Sequence, residues 1–174
     1  MDIYNCYIEY FLVNFEKNFM KKINKKLFKK VLSKFSTGIT VVGINVKGVN
    51  IAKTVNSFTT LSISPPLVLF SLDINASYLN KFKKSKFLSI NILGKNQTDI
   101  SNVFAKKDPK WKKVNFDLGE FKTPIIKNCL ANLECKKIQL LMKGDHIIFI
   151  CEVLNASFKD KLKPLIYFDS NYFS

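Results

Sequence analysis

The segment Thr54–Pro66, TVNSFTTLSISPP, is the part of the sequence best suited to binding a polar ligand. It combines hydroxyl side chains, the Asn56 amide and two prolines, although β-like apolar runs flank it on both sides. A strand that only filled a core would be rich in Val, Ile and Phe. Hydroxyls and an amide on an extended segment offer hydrogen bonds instead. We therefore expect this segment to contact a polar group that is not protein.

His146 is the most conspicuous titratable residue, because it follows Gly144-Asp145 at the tip of a predicted hairpin. A lone His is more often structural or merely exposed, so its spacing alone leaves both interpretations open. Trp111, on a Lys-rich loop, is either an aromatic at the edge of the core or a lid over a planar ligand. The hydroxyls of Thr59, Thr60, Ser62 and Ser64 are equally compatible with an ordinary strand end.

The sequence carries no motif for chemistry performed by protein side chains alone. One His and scattered acids predict no metal site, and neither a GxSxG elbow nor a GxxxxGKS or GxGxxG phosphate loop is present. This pattern suits an enzyme whose organic cofactor performs the difficult step while the protein binds and orients the reactants.

The net charge of +15 initially suggests a nucleic-acid or membrane-surface partner. All 28 basic residues are Lys, however, and bidentate reading of bases and phosphates uses the guanidinium group of Arg. We therefore predict no specific nucleic-acid binding and attribute the Lys excess mainly to composition. A positive field would still attract phosphorylated small molecules.

A length of 174 residues fits one domain with a substantial core. We treat residues 1–19 as an uncertain N-terminal extension, because they lack a basic signal-peptide region and Met20 could be a start, and residues 20–174 as a single domain. No apolar run reaches the roughly 18 residues that span a bilayer, so no membrane partner is predicted. The four Cys form no CxxC pair, which favours reduced thiols and a cytoplasmic location.

The predicted elements around the polar segment are mostly strands. Apolar residues at helical spacing predict an amphipathic helix over 23–35, and the runs Ile39–Val46 and Val49–Phe58 predict a hairpin across Lys47-Gly48. Alternation would place Thr54 and Asn56 on one face and Val55 and Ser57 on the other. Only one pair would then reach a ligand with its side chains.

The remaining elements complete a mainly β fold with peripheral helices. Pro65-Pro66 should end the second hairpin arm, and Ser77 should cap a short helix. Further strands are predicted at Leu67–Leu72, Phe87–Leu93, Leu130–Leu141, His146–Ala156 and Leu165–Phe168, with a helix at Asn96–Ala105. Six or seven mostly antiparallel strands favour a small closed or nearly closed barrel.

Five motifs in the correct order resemble the flavin reductase-like family of FMN-binding split barrels. They run from about Phe28 to Tyr172 and are FKKVLSKFSTGITVV, TVNSFTTLSISPPLVLFSLD, FLSINILGKNQ followed by Phe104-Ala105, GDH with a strand ending in Cys151-Glu152-Val153, and PLIYF. The resemblance implies a homodimeric split β-barrel that binds FMN or FAD and takes NADH or NADPH as co-substrate. It also implies an NAD(P)H:flavin oxidoreductase, which could supply reduced flavin to a separate monooxygenase.

The resemblance also implies site residues. His146 is expected near the nicotinamide, and the expected flavin-binding residues are Thr54, Val55, Asn56, Ser57, Thr59, Asn75, Ala76, Ser77, Asn91, Gln97, Phe104 and Ala105. The sequence departs from the family pattern at five positions: Val55 replaces the usual Ala, Ala52-Lys53 stand where Gly and a Met-like residue are commoner, Asn171 stands where a basic residue is frequent, and Cys151 replaces the Gly of GEV. The alternative function is a non-catalytic FMN carrier or sensor, since a fold does not fix a function.

Overall fold

The computed structural model describes residues 23–173, except for the side chain of Lys113. The predicted extension, Cys6 and the candidate start at Met20 lie outside the described residues. Two compact units divide the chain at Phe35/Ser36. In the first, helix α1 covers Lys25–Leu32, and the Asn24 side chain caps it by accepting from the backbone N–H of Lys26 at 2.8 Å. The helix predicted over 23–35 is therefore present but shorter.

The second unit is built on one antiparallel sheet of seven strands. Its strands are β2 Thr40–Val46, β3 Val49–Val55, β4 Thr59–Ser62, β5 Leu67–Asp73, β6 Phe87–Ile92, β9 Ala131–Lys143 and β10 His146–Phe158. Their spatial order is β3, β2, β6, β9, β10, β5 and β4. The long pair β9 and β10 shows two register irregularities, at Ile150/Cys151 and at Val153/Asn155, and such bulges bend the strands that carry them.

The sheet curls around an apolar core, and strands near both of its edges contribute residues to that core. Phe70 of β5 stacks on Phe149 of β10 at 4.8 Å between ring centroids, and Phe82 meets Phe149 edge-on at 6.5 Å. Val42 of β2 and Ile51 of β3 join the same buried cluster. Because one cluster contains residues from near both edges of the sheet, the strands enclose it as a split barrel. The predicted mainly β fold is confirmed.

Shorter elements cover a second apolar cluster on the other face of β2 and β3. Ile39, Val41 and Ala52 pack there with Phe104 of helix α3. The covering elements are helix α2 at Leu79–Lys84, helix α3 at Thr98–Ala105, 3-10 turns at Lys95–Gln97 and Trp111–Lys113, and strands β1 Thr37–Gly38, β7 Phe116–Leu118, β8 Pro124–Ile126, β11 Ile166–Phe168 and β12 Asn171–Phe173. None of the helices within residues 23–173 has both the length and the apolar character needed to cross a bilayer.

Two local predictions were wrong. Strand β3 ends at Val55, and a separate strand β4 precedes Pro65, so the hairpin arm does not run on to the prolines. Ser77 does not cap α2: the cap position belongs to Tyr78, which has a φ of 64° and makes no side-chain capping bond. In the first case, the pairing of β4 with β5 overrides the local sequence preference. In the second, the turn before α2 does so.

Candidate functional site: a cleft at the seam of the barrel

A cavity of about 420 Å³ opens where the end of β3 approaches β5 and the start of β10. It is lined by Lys53, Thr54, Val55, Asn56, Ser57, Ser71, Leu72, Asp73, Asn75, Ala76 and His146. The lining therefore combines the TVNS segment with the predicted His, although some 90 positions separate them in the sequence. The antiparallel sheet brings the two together because His146 opens β10 directly opposite Asp73 of β5.

The end of β3 explains why four consecutive residues reach one cavity. Thr54 and Val55 do point in opposite directions, as alternation predicts: the Thr54 hydroxyl donates to the Ser101 carbonyl at 2.7 Å, whereas Val55 is buried in the barrel core. Regular strand geometry then ends, so Asn56 and Ser57 follow the rim of the cavity. All four residues therefore line the cavity, and that only one pair would reach a ligand with its side chains stays a prediction.

A tight turn after β5 forms another wall of the cavity. The backbone N–H of Asn75 donates to the Asp73 carboxylate at 2.7 Å, and that of Ala76 donates to the Asp73 carbonyl at 2.9 Å. These bonds fix the positions of Asn75 and Ala76, which line the cavity. Ser77 does not line it, but its hydroxyl accepts from the Lys53 ammonium at 3.3 Å.

His146 lies at the cavity with its side chain 44% exposed. Its Nδ1 lies 2.7 Å from the Asp145 carboxylate, which fixes one ring nitrogen and sets the orientation of the imidazole. Nε2 is then the ring atom available to a ligand. The side chain is accessible and oriented, which is what a group that positions an incoming substrate requires.

Asn91 lies away from the cavity, although the family resemblance placed it near the flavin. It is fully buried: its amide donates to the Val41 carbonyl at 3.0 Å and accepts from the Ile126 N–H at 2.8 Å and from the Asn132 amide at 2.7 Å. These bonds join β2, β6, β8 and β9. Asn91 therefore shapes the barrel and does not line its cleft.

Gln97 belongs to a second cavity. Its amide accepts from the Gly94 N–H at 2.9 Å and donates to the Lys127 carbonyl at 2.9 Å. The cavity it borders has a volume of about 580 Å³ and is lined by Gly94, Lys95, Asn96, Gln97, Ile100, Asn115, Lys127, Asn128, Lys161, Leu162 and Lys163. None of the four TVNS residues reaches this cavity, so the two predicted groups of ligand contacts are separated.

The other predicted contacts also lie off the first cavity. Phe104 is fully buried and packs against Trp111 with 4.6 Å between ring centroids. Trp111 packs in turn on Phe116 at 4.7 Å, which makes it an aromatic at the edge of the core. Ala105 and Thr59 are exposed, and neither lines the cavity. Sequence reasoning did not name Ser71, Leu72 or Asp73, which only the pairing of β5 with β10 brings to the site.

Lys53 is the cavity residue that sequence reasoning noticed only as a departure from the family pattern. Its ammonium donates to the Lys106 carbonyl at the end of α3 at 2.9 Å as well as to Ser77. Burial lowers the pKa of this ammonium from its ordinary value. The signal was present in the sequence, because a Lys at an inward position of a barrel strand requires an explanation.

The cleft fits a flavin-sized ligand. Its volume lies within the roughly 300–1,000 Å³ of small-molecule sites, and its lining mixes apolar side chains with a few convergent polar groups. Hydroxyls, amides and one ammonium can bind a ribityl chain and a phosphate, while Val55 and Leu72 offer apolar surface to a ring.

A curled antiparallel sheet with a polar cleft at its seam defines a split-barrel protein of the cofactor-binding kind. The chain belongs to the family of the flavin reductase like domain, whose model matches residues 32–174. The FMN reductase (NADH) SmoA of Agrobacterium fabrum is 33% identical over 129 residues, which cover 74% of each chain. The reductase component of the flavin-dependent trigonelline monooxygenase of Acinetobacter baylyi is 34% identical over 70% of this chain, which spans only 40% of that protein.

A solved structure agrees with the fold. The NADH:FAD oxidoreductase SgcE6 of Streptomyces globisporus, in complex with NAD and FAD fragments, has a TM-score of 0.83 and 28% identity. The match covers 87% of this chain and 92% of that one. The recognised family and the predicted split-barrel fold are therefore confirmed.

Proposed function

We propose that the protein is an NAD(P)H:flavin oxidoreductase that reduces FMN or FAD. The observation that carries this proposal is the single cleft that joins the TVNS segment to His146. Family membership and the names of the relatives, which include FMN reductases and NADH:FAD oxidoreductases, support the same assignment.

The side chains at the cleft have binding and orienting roles. Thr54 to Ser57, Asn75 and Ala76 would hold the flavin, and His146 would orient the nicotinamide through the ring nitrogen that Asp145 leaves available. A bound flavin supplies the hydride acceptor for NAD(P)H. Holding both ligands in one cleft would provide proximity and alignment for the transfer, so the protein would need no acid or base of its own.

We also propose that the active form is a homodimer in the cytoplasm that passes reduced flavin to a monooxygenase. Exposed apolar side chains on the long strands β9 and β10, among them Met142 and Phe158, provide surface for a second copy. The free, buried thiols of Cys129, Cys135 and Cys151 agree with a reducing compartment. Several relatives are named as reductase components of flavin-dependent monooxygenases.

The test is an anaerobic mixture of the purified chain, FMN and NADH. Bleaching of the flavin absorbance with stoichiometric loss of NADH is the expected result, and FAD and NADPH are run in parallel. A protein that binds flavin tightly but consumes no pyridine nucleotide would instead be the carrier or sensor. Light scattering on the same sample measures the mass and tests the dimer.

A further inference from the structure

We infer that Lys53 binds the phosphate of the flavin and makes this chain selective for phosphorylated flavin over riboflavin. The inference rests on the proposed function, because it assigns a role to one residue of the same cleft. It concerns a position where this chain departs from the family pattern noted above, which has a Met-like residue.

The position of Lys53 in β3 directs its side chain toward the cleft. Ile51 and Val55, two residues away on either side, are both buried in the barrel core. Lys53 therefore follows the inward face of the strand, and it lines the cavity. The ammonium meets Ser77 from one side and the C-terminal end of α3 from the other.

The ammonium has one donor left for a ligand. A Lys ammonium carries three N–H donors, and the structure assigns two of them, to the Ser77 hydroxyl at 3.3 Å and to the Lys106 carbonyl at 2.9 Å. Both acceptors are neutral, and within residues 23–173 no carboxylate forms an ion pair with Lys53. The helix end offers only a partial negative charge, so the ammonium keeps a donor and most of its positive charge for an anionic ligand.

The charges around the cleft determine where an anion can bind. Of the described residues that line it, Lys53 is the only lysine, while Asp73 adds a negative charge. A phosphate in this cavity is therefore attracted toward Lys53 and repelled from Asp73. Because Lys53 directly precedes the TVNS residues on β3 and lines the same cavity, its partner is the ligand that those residues would hold. In the proposed reaction that ligand is the flavin, and the pyridine nucleotide binds over it.

The experiment measures equilibrium binding of FMN and of riboflavin separately, by quenching of flavin fluorescence, on the full chain. The variants are Lys53→Met, which installs the Met-like residue, Lys53→Arg, which keeps the charge, and Lys84→Met. Lys84 is an exposed residue of α2 and lines neither of the two cavities described above, so it is the matched control for loss of one positive charge.

Loss of a hydrogen bond to a charged group predicts that Lys53→Met weakens FMN binding about tenfold or more. The affinity of Lys53→Met for riboflavin should stay within about twofold of that of the unmodified chain, because riboflavin carries no phosphate for Lys53 to bind. Lys53→Arg should keep most of the preference for FMN, and Lys84→Met should leave both affinities unchanged.

Three results would overturn the assignment. Equal losses for FMN and riboflavin would make Lys53 a contact of the ring or a structural link between Ser77 and Lys106. No loss for either would show that the ammonium serves only those two acceptors. A raised KM for NADH with unchanged FMN affinity would place the nucleotide phosphate there. If the unmodified chain bound neither flavin, the proposed function would fail as well, which is a distinguishable outcome.

Discussion

Ser57 is bonded twice to the backbone of Ser71 across the seam of the barrel. Its hydroxyl accepts from the Ser71 N–H at 2.9 Å and donates to the Ser71 carbonyl at 3.1 Å. The Ser57 side chain thereby continues the pairing along β5 at a point where β4 has not yet begun, and it links the segment after β3 to β5 across the cleft. Ser57 therefore ties the two sides of the seam together at the cavity that it lines.

Ser57→Ala should destabilise the protein by about 1–3 kcal/mol, because both partly buried backbone groups of Ser71 lose their partner. Chemical denaturation measures the change, and FMN affinity should fall in the same variant. Ser71→Ala is the matched control, since the bonds use only the backbone of Ser71. Equal destabilisation by the two variants would contradict the assigned role.

His146→Ala should lower kcat/KM for NADH about tenfold, because the imidazole oriented by Asp145 no longer positions the nicotinamide. FMN affinity should be unchanged, which fluorescence titration checks. Asp145→Asn keeps a hydrogen-bonding group beside Nδ1 and should have a smaller effect. A His146→Ala variant with unaltered NADH kinetics would favour the carrier function.

Asn91→Ala should cost about 2–4 kcal/mol of the free energy of unfolding, because it leaves several buried partners in β2, β8 and β9 unsatisfied. We expect any residual folded protein to bind FMN with little change, since Asn91 does not line the cleft. A large loss of FMN affinity in a variant of normal stability would restore the direct contact that the family resemblance implied.

Gly119→Ala should destabilise the β7–β8 hairpin by about 1–3 kcal/mol, because a Cβ there would overlap the Glu134 carboxylate. That carboxylate accepts from the N–H groups of Glu120 and Phe121, both at 3.0 Å, and from the Thr123 hydroxyl at 2.8 Å. Gly38→Ala is the control, since nothing lies within 4 Å of its added Cβ. Thermal unfolding of both variants distinguishes a clash from a general effect of replacing Gly.

The three described thiols should resist alkylation at neutral pH. Burial raises the pKa of Cys129 and of Cys151 to about 12, and it raises that of Cys135 as well. In a Cys6→Ser variant, iodoacetamide should modify no thiol of the native protein and three after denaturation, as counted by mass spectrometry.

The same raised pKa values set the sign of a pH effect on stability. The unfolded thiols ionise near pH 9.0 while the native ones remain neutral, so the stability that they contribute is complete below that pH. It then declines as the pH rises toward 12. Replacement of Cys151 by Ala should make this alkaline decline shallower, which denaturation at several pH values would measure.

The sequence by itself determined the family, the mainly β fold and most strands, because apolar alternation and ordered motifs are local signals. Phe87–Leu93 and His146–Ala156 were predicted within two residues of the strands found. It also marked Thr54–Ser57 and His146 as candidate ligand contacts, and the structure brings them to one cleft. Their binding roles stay predictions.

Only the tertiary structure decided which polar residues share that cleft. Asn91 and Asn56 are both polar residues of strand-like segments, and the sequence does not distinguish their roles. In the structure Asn91 is buried among four strands, whereas Asn56 lies at the opening of the cleft. Ser71 lies within an apolar run and Asp73 directly after it, and both reach the site only because β5 pairs with β10. Strand pairing across long sequence separations carries this information, and local patterns of hydrophobicity do not contain it.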